Sequence, residues 1–454
     1  MNVTASYDMA FQFSQGALQG VINSQHVARI LVNRLVRIVD GRRVDIVVNS
    51  PRVILEDAHD PEQAILESYV FYNRRDPTKA HDLGTSAVFR VRVRLNVTIG
   101  GQNPAPLHSA SQLHIDSTQT SIDDIFLETA FAHNDQLFPQ VQHVSMDSPP
   151  DKLQELSIKS VKSGVETDFV TEAKATLLSL IHECTTRRFP LPLLGSGDLR
   201  IGSAAFKFMN NQAANCLTIG LNENCGTHGS RAGLVQSFAK QDWALAFRGD
   251  YFIDKVNRAL LAQYPLPYQI IRKCTVEAKW PASGCLNWTT IKLVALSLAL
   301  RDGYMELTGT LRITNSGPLI PDASPSFSAR IDLEVTESGD CRTVISDVLV
   351  SLNDWRMDAI DFLSRDSLSS AIKKAVESAG LSTSWGDVSG VVTSASLNKL
   401  AGVDGAADLQ LTLQLRSVEV TMTEVVAHGV LIAPKCREEP VADFSFAVIE
   451  RTFR

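Results

Sequence analysis

Tyr7-Asp8-Met9-Ala10-Phe11-Gln12-Phe13-Ser14-Gln15-Gly16-Ala17-Leu18-Gln19-Gly20-Val21-Ile22 is the stretch whose reading decides the fold, because the chain repeats its pattern about 235 residues later. There it runs Trp243-Ala244-Leu245-Ala246-Phe247-Arg248-Gly249-Asp250-Tyr251-Phe252-Ile253-Asp254-Lys255-Val256. Both stretches open with the period-2 pattern of a strand and pass, at a small or capping residue, into the 3.6-residue spacing of a helix. Each is followed by a long series of strands, one late helix and further strands. A repeat of this length is a duplicated domain, since solenoid units run roughly 20–50 residues. The expected organisation is an N-terminal domain over residues 1–240 and a C-terminal domain over 241–454, with Gly226-Thr227-His228-Gly229-Ser230-Arg231-Ala232-Gly233 as a small, polar linker.

Working outward, the C-terminal half reads most cleanly. Cys274, Val276, Ala278 and Trp280 alternate with polar residues, and Val294, Leu296, Leu298 and Leu300 form one apolar face before the turn Arg301-Asp302-Gly303. Met305, Leu307, Gly309, Leu311 and Ile313 return along the same face, and Phe327-Ala329-Ile331-Leu333-Val335 continue the meander. Helical spacing is expected over about 250–263 and 356–379, the second ended by Gly380. Leu409-Leu411-Leu413-Leu415 changes phase to Val418-Val420-Met422, which calls for a bulge near Arg416-Ser417. The N-terminal half follows the same order, with Phe89, Val91, Val93, Leu95 and Val97 against Arg90, Arg92 and Arg94, and a late helix over about 168–186. Residues 14–37 read either as one helix or as a helix to about Ser24 followed by a strand.

The 454 residues have 44% apolar and 20% charged side chains, enough for each half to bury a core. A net charge of −7 argues against a dedicated nucleic-acid binder. No apolar run approaches the ~20 residues that span a bilayer. The opening Met1-Asn2-Val3-Thr4-Ala5-Ser6 lacks the features of a signal peptide, so the expected location is the cytoplasm, or outside it by a route without a classical signal. The seven cysteines are scattered and never in CxxC spacing. Cys216 with Cys225, or Cys274 with Cys285, could pair across neighbouring strands, but a cytosolic compartment favours free buried thiols.

The order strand, helix, long antiparallel meander, second helix and closing strands resembles the TULIP (tubular lipid-binding) superfamily, in its branch related to bactericidal/permeability-increasing protein and to bacterial toxin-cluster proteins. The residues carrying the likeness are Phe11-Gln12-Phe13-Ser14-Gln15-Gly16-Ala17-Leu18, Phe247-Arg248-Gly249-Asp250-Tyr251-Phe252-Ile253 and the hairpin Leu300-Arg301-Asp302-Gly303-Tyr304-Met305-Glu306-Leu307. Pro190-Leu191-Pro192 and Pro265-Leu266-Pro267 after the helices add to it. The resemblance implies an α+β fold of two tandem TULIP-like domains, each a curved antiparallel sheet wrapped around a long helix and enclosing an apolar tube. It also implies non-enzymatic binding of a lipid or acyl chain, with no cofactor and no metal. A protein-interaction module of a toxin-associated or secreted assembly, with its tube filled by side chains, is the alternative. The expected tube wall is Leu18, Val21 and Ile22 in one half and Phe252, Ile253, Val256 and Leu260 in the other.

The motifs of catalysis are missing. His182-Glu183 lacks the second histidine of HExxH, Gly195-Ser196-Gly197 is not a nucleophile elbow, and no Walker A or dinucleotide fingerprint occurs. Arg90, Arg92 and Arg94 share one strand face at a spacing of about 7 Å. That row could meet anionic headgroups at a membrane surface or an acidic protein partner, although a solvated face with nearby carboxylates is the simpler reading.

Overall fold

A computed structural model of the chain describes residues 2–20, 34–48, 51–55, 63–78, 85–99, 105–106, 112–125, 166–185, 187–190, 201–211, 214–223, 228–263, 265–278, 284–316, 322–339, 341–351, 369–370 and 412–432. The two decisive stretches become neighbouring strands. Met9–Ser14 forms β1 and Trp243–Arg248 forms β12, and they pair antiparallel with Phe11 opposite Leu245 and Phe13 opposite Trp243. On the far side of β1 lie β11 (Ala214–Glu223), β10 (Ile201–Asn211) and the short β7 (Ala105–Pro106). On the far side of β12 lie β19 (Glu424–Ile432) and β18 (Thr412–Val420). These seven strands make a central sheet drawn from both halves of the chain.

The bonding at its middle is two-fold symmetric. Arg248 N–H donates to the Asp8 carbonyl at 3.0 Å, and Ser14 N–H donates to the Asp242 carbonyl at 2.9 Å. The Asp8 carboxylate accepts from Glu223 N–H at 2.9 Å, and that of Asp242 accepts from Leu431 N–H at 2.8 Å. Each aspartate stands just before its strand and satisfies a backbone donor on the strand that closes its half.

A second sheet follows β1 in the order β2 (Arg34–Val39), β3 (Arg42–Val48), β5 (Ala64–Arg75), β6 (Thr85–Ile99), β8 (Gln112–Ile125) and β9 (Arg187–Pro190), with β4 (Arg52–Ile54) paired to β5. Helix α1 (Glu166–Thr185) lies on one face of this sheet, where Phe169, Ala173 and Leu177 pack with Val44, Ile46, Val70, Tyr72, Phe89 and Val91. A third sheet follows β12 as the meander β13 (Tyr268–Ala278), β14 (Gly284–Arg301), β15 (Tyr304–Asn315), β16 (Ser326–Val335) and β17 (Cys341–Ser351). Its inner face shares one core with helix α2 (Gly249–Gln263) and with Phe11, Phe13, Trp243 and Phe247 of the central sheet.

The expected α+β class, a sheet wrapped around a long helix in each half, does not hold. Among the described residues, strands make up 65% and helices 16%, in three sheets with three short helices, and no long helix is enclosed by a sheet. The reason is visible in the helices themselves. A rod enclosed on all sides must be apolar all round. In α1, Thr171, Ala175, Leu178 and Ser179 are exposed opposite the buried stripe, and in α2 Asp254, Arg258, Leu261 and Ala262 are exposed opposite Phe252, Val256 and Leu260. Each helix therefore covers one sheet face and shows its other side to solvent.

Short polar devices join these layers. Residues 15–20 form a helical stretch whose Gln15 and Gln19 reach the backbone of the β4 region. Gln15 Nε2 donates to Val53 O at 3.0 Å, Gln19 Nε2 donates to Pro51 O at 2.8 Å, and Gln19 Oε1 accepts from Val53 N–H at 2.7 Å. Two side-chain amides one turn apart thus take the place of a neighbouring strand along an open edge. The stretch read as a linker is no loose tether over its described part. Residues 228–240 cross the outer face of the central sheet, with Leu234 and Phe238 packed on Ala10, Tyr7 and Ala205. Gln12, fully buried, pins this strap. Its Oε1 accepts from Phe238 and Ala239 N–H at 2.8 Å each, and its Nε2 donates to Thr218 Oγ1 at 2.8 Å and to Gln236 O at 3.2 Å.

Two further readings change. Cys274 and Cys285 form a disulfide rather than staying free. Bulges in the β13–β14 ladder bring their Cα atoms to 5.7 Å, within bonding reach. Cys216 and Cys341 are free, and burial pushes both thiols up to about 11. In β14 the buried face is Ile291 and Leu293, then Leu296, Leu298 and Leu300, because the register shifts between Leu293 and Ala295. The bulge expected near Arg416-Ser417 is present as a shift between Leu415 and Ser417. The expected helix over 356–379 lies outside the described residues apart from 369–370.

Candidate ligand-binding site

The third sheet carries the site. Between the β14 bulge and a second register shift in the β16–β17 ladder just past Ser328, strands β14 to β17 align in cross-strand rungs. Leu296, Gly309, Phe327 and Val350 form one rung and belong to the core face, where Phe327 and Val350 are buried. The rungs on either side, Ala295–Thr310–Ser326–Ser351 and Ser297–Thr308–Ser328–Leu349, point to the opposite face because side chains alternate along a strand. A cavity of ≈ 590 Å³ is lined by these twelve residues. Six carry hydroxyls, the other six are apolar or glycine, and none is charged. Gly309 is required here: a Cβ would stand 2.4 Å from the Phe327 ring and 2.8 Å from the Ala295 carbonyl. Leu349 lies 67% exposed at one end of the lining, a large apolar side chain left in water.

Such a surface can bind an apolar or neutral group by contact and weak hydrogen bonding, and its size falls within the usual range of ~300–1,000 Å³ for small-molecule sites. It offers nothing for acid–base work. Among the described residues no group of three histidine, cysteine or carboxylate side chains is placed to hold a metal ion.

The residues expected from sequence to line a tube are elsewhere. Phe252, Val256 and Leu260 are buried at 7%, 4% and 3% exposure, and the Phe252 ring centroid is 5.9 Å from that of Phe247. Ile253 packs against the same core, half-buried. Leu18 is also half-buried and packs with Val53, Leu55, Phe208 and Leu217 where the central and second sheets meet. Val21 and Ile22 lie outside the described residues. None of the placed five lines the cavity. Sequence reasoning did not find the lining of this cavity because serine and threonine on a solvent-side rung look like any wet strand face. Their alignment across four strands is a matter of register.

Charged groups gather at the end of the central sheet, where they are mutually satisfied. Asp8, 6% exposed, meets His228 Nε2 at 2.7 Å and Arg248 Nη2 at 3.2 Å, and Arg248 Nε donates to Asp250 at 2.6 Å. Glu223 pairs with Lys255. Burial and the neighbouring Glu223 and Asp8 carboxylates push the Tyr251 hydroxyl well above its ordinary range. This network ties the start of the strap to β1, β11, β12 and α2. In the arginine row, Arg92 Nε donates to Glu67 at 2.6 Å, as on a strand face balanced by carboxylates. Arg90 and Arg94 flank it, opposite Tyr69 and Ile65 of β5.

No protein-family model matches the chain, and no curated protein matches it in sequence. Among solved structures it is similar to P47 of Clostridium botulinum E1, with a TM-score of 0.46 and 8% identity over 94% of this chain and 99% of that one. It is also similar to P47 of Clostridium botulinum A2, with a TM-score of 0.35 and 11% identity over 93% and 97%. A lipopolysaccharide binding protein gives a TM-score of 0.33 and 10% identity over 94% and 99%. Each of these TM-scores lies below 0.5, so function is argued from this chain's own residues.

Proposed function

We propose that the protein is a non-enzymatic binder of a hydrophobic ligand, a lipid or acyl chain, held in the cavity across β14–β17. The observation that carries this reading is an uncharged lining of ≈ 590 Å³ on a regular sheet whose other charged side chains are kept out of it. Apolar contact there is worth about 0.8 kcal/mol per buried methylene, so chain length and shape govern affinity. Native mass spectrometry of gently purified protein is expected to show a lipid adduct. Ser328→Trp, which fills the groove from its solvent side without enlarging the core, is expected to abolish it. A bare mass in the wild type, or an adduct unchanged in Ser328→Trp, would refute the assignment.

A second reading is a protein-interaction module with a filled interior, favoured by the close packing of Phe252, Val256 and Leu260. A stoichiometric partner recovered from the native source, together with failure to take up fatty acid, would select it.

The organisation we propose is two tandem repeats, 1–240 and 241–454, and the matched Asp8 and Asp242 bonds support it. The Cys274–Cys285 bridge supports a location outside the reducing cytosol.

A further inference from the structure

On the same face as the groove rungs, immediately beyond the β14 bulge, the third sheet turns basic. Lys292 and Arg312 are direct cross-strand partners, and one rung further Arg272 pairs across Thr290 to Thr314. Ile291 and Ile313 between them are fully buried, which places Lys292, Arg312, Thr290 and Thr314 together on the opposite face. Arg312 and Thr310 are two residues apart on β15, so the basic rung lies about 7 Å from the first rung of the groove.

These three cations lack the partners their neighbours have. Elsewhere in this sheet Arg301 pairs with Glu306, Arg330 with Asp332 and Arg342 with Glu334. Among the described residues no carboxylate lies within ion-pair distance of Arg272, Lys292 or Arg312. The Arg272 guanidinium instead lies 5.0 Å from the centroid of the Trp288 ring, which is 40% exposed. Like charges set directly opposite on adjacent strands repel and destabilise the pairing. An anion between Lys292 and Arg312 would turn that repulsion into two charge-assisted hydrogen bonds.

We propose that Lys292 and Arg312, with Arg272 beside them, receive the anionic head of a single-chain amphiphile whose apolar chain lies in the adjoining uncharged groove. The inference rests on the binding reading above and adds to it a selection for head charge. The groove crosses four strands, roughly 14 Å at the usual strand spacing, so head and chain are held by different residues and can be separated by experiment.

The test is calorimetric titration of the full chain at about pH 8, where a fatty carboxylate is ionised, with dodecanoate, dodecanol and acetate as probes. Dodecanoate is expected to bind at least about tenfold more tightly than dodecanol. The preference should shrink when salt is raised from about 20 to about 300 mM. Acetate should bind far more weakly than either. The double variant Lys292→Gln/Arg312→Gln should bring dodecanoate to the affinity of dodecanol and leave dodecanol unchanged, with unfolding midpoints showing that the fold is intact. Equal affinity for acid and alcohol in the wild type, or a preference that survives the double variant, overturns the head assignment and leaves the groove reading standing. Binding of neither amphiphile overturns both. Acetate binding as tightly as dodecanoate overturns the role of the chain.

Discussion

Replacing Gln12 by alanine should loosen the strap over the central sheet, and the cost can be worked from its bonds. The buried amide accepts from Phe238 and Ala239 N–H and donates to Thr218 and Gln236. At about 1 kcal/mol net for each bond, the loss comes to about 4 kcal/mol. Strand formation itself should not suffer, because the symmetry-related position on β12 is Ala246, which is alanine already and fully buried. The assay is urea unfolding, with hydrogen exchange of the Phe238 and Ala239 amides as the local readout. Gln12→Glu serves as the control, since it keeps the acceptor oxygen that receives both strap amides and loses only the amide donors. Its two amides should stay better protected than in Gln12→Ala, even though a buried carboxylate lowers global stability. Stability of Gln12→Ala within about 0.5 kcal/mol of wild type, with unchanged exchange at both amides, would refute the reasoning.

Asp8→Ala strands the Glu223 N–H, the Arg248 guanidinium and the His228 ring, and should cost about 2–3 kcal/mol by denaturant titration, with His228 and the strap start exchanging faster. Acidification should destabilise the fold through His428, which is 2% exposed with Glu419 Oε2 3.7 Å from its Nε2, and titrates below its ordinary value because burial disfavours the cation more than the Glu419 carboxylate favours it. Its contribution is fully present above about pH 6.5 and is lost as pH falls from there toward the depressed folded-state value, so His428→Phe should flatten the midpoint-versus-pH curve over that window. Reduction of Cys274–Cys285 should lower stability by about 2–3 kcal/mol for a loop of separation 11, checked by unfolding with and without reductant. Gly309→Ala should cost about 1–3 kcal/mol, since its Cβ meets the Phe327 ring and the Ala295 carbonyl, and should weaken ligand binding in the same variant.

Much of the secondary structure was legible because alternation and helical spacing are local properties. The strand at Met9–Ser14, the long meander, the helix at Gly249–Gln263 and the bulge near Arg416 all follow from patterns within a few residues. The expectation of helices enclosed by sheets came from resemblance. It failed because one apolar stripe on a helix states only that one side is buried. The solvent-facing Asp254 and Arg258 of α2 were in plain view as the contrary signal.

The alternation of the strands and the positions of the helices at Glu166–Thr185 and Gly249–Gln263 were thus legible in the amino-acid sequence alone. Three features were decided only in the folded chain. The pairing of β1 with β12 merges both halves into one sheet, and the Cys274–Cys285 bridge depends on bulges that bring two edge positions to 5.7 Å. The groove with its basic neighbour exists because register lines up Ala295, Thr310, Ser326 and Ser351 across four strands. Register and strand partnership join residues far apart in the chain, and a pattern read along one strand has no term for the strand beside it.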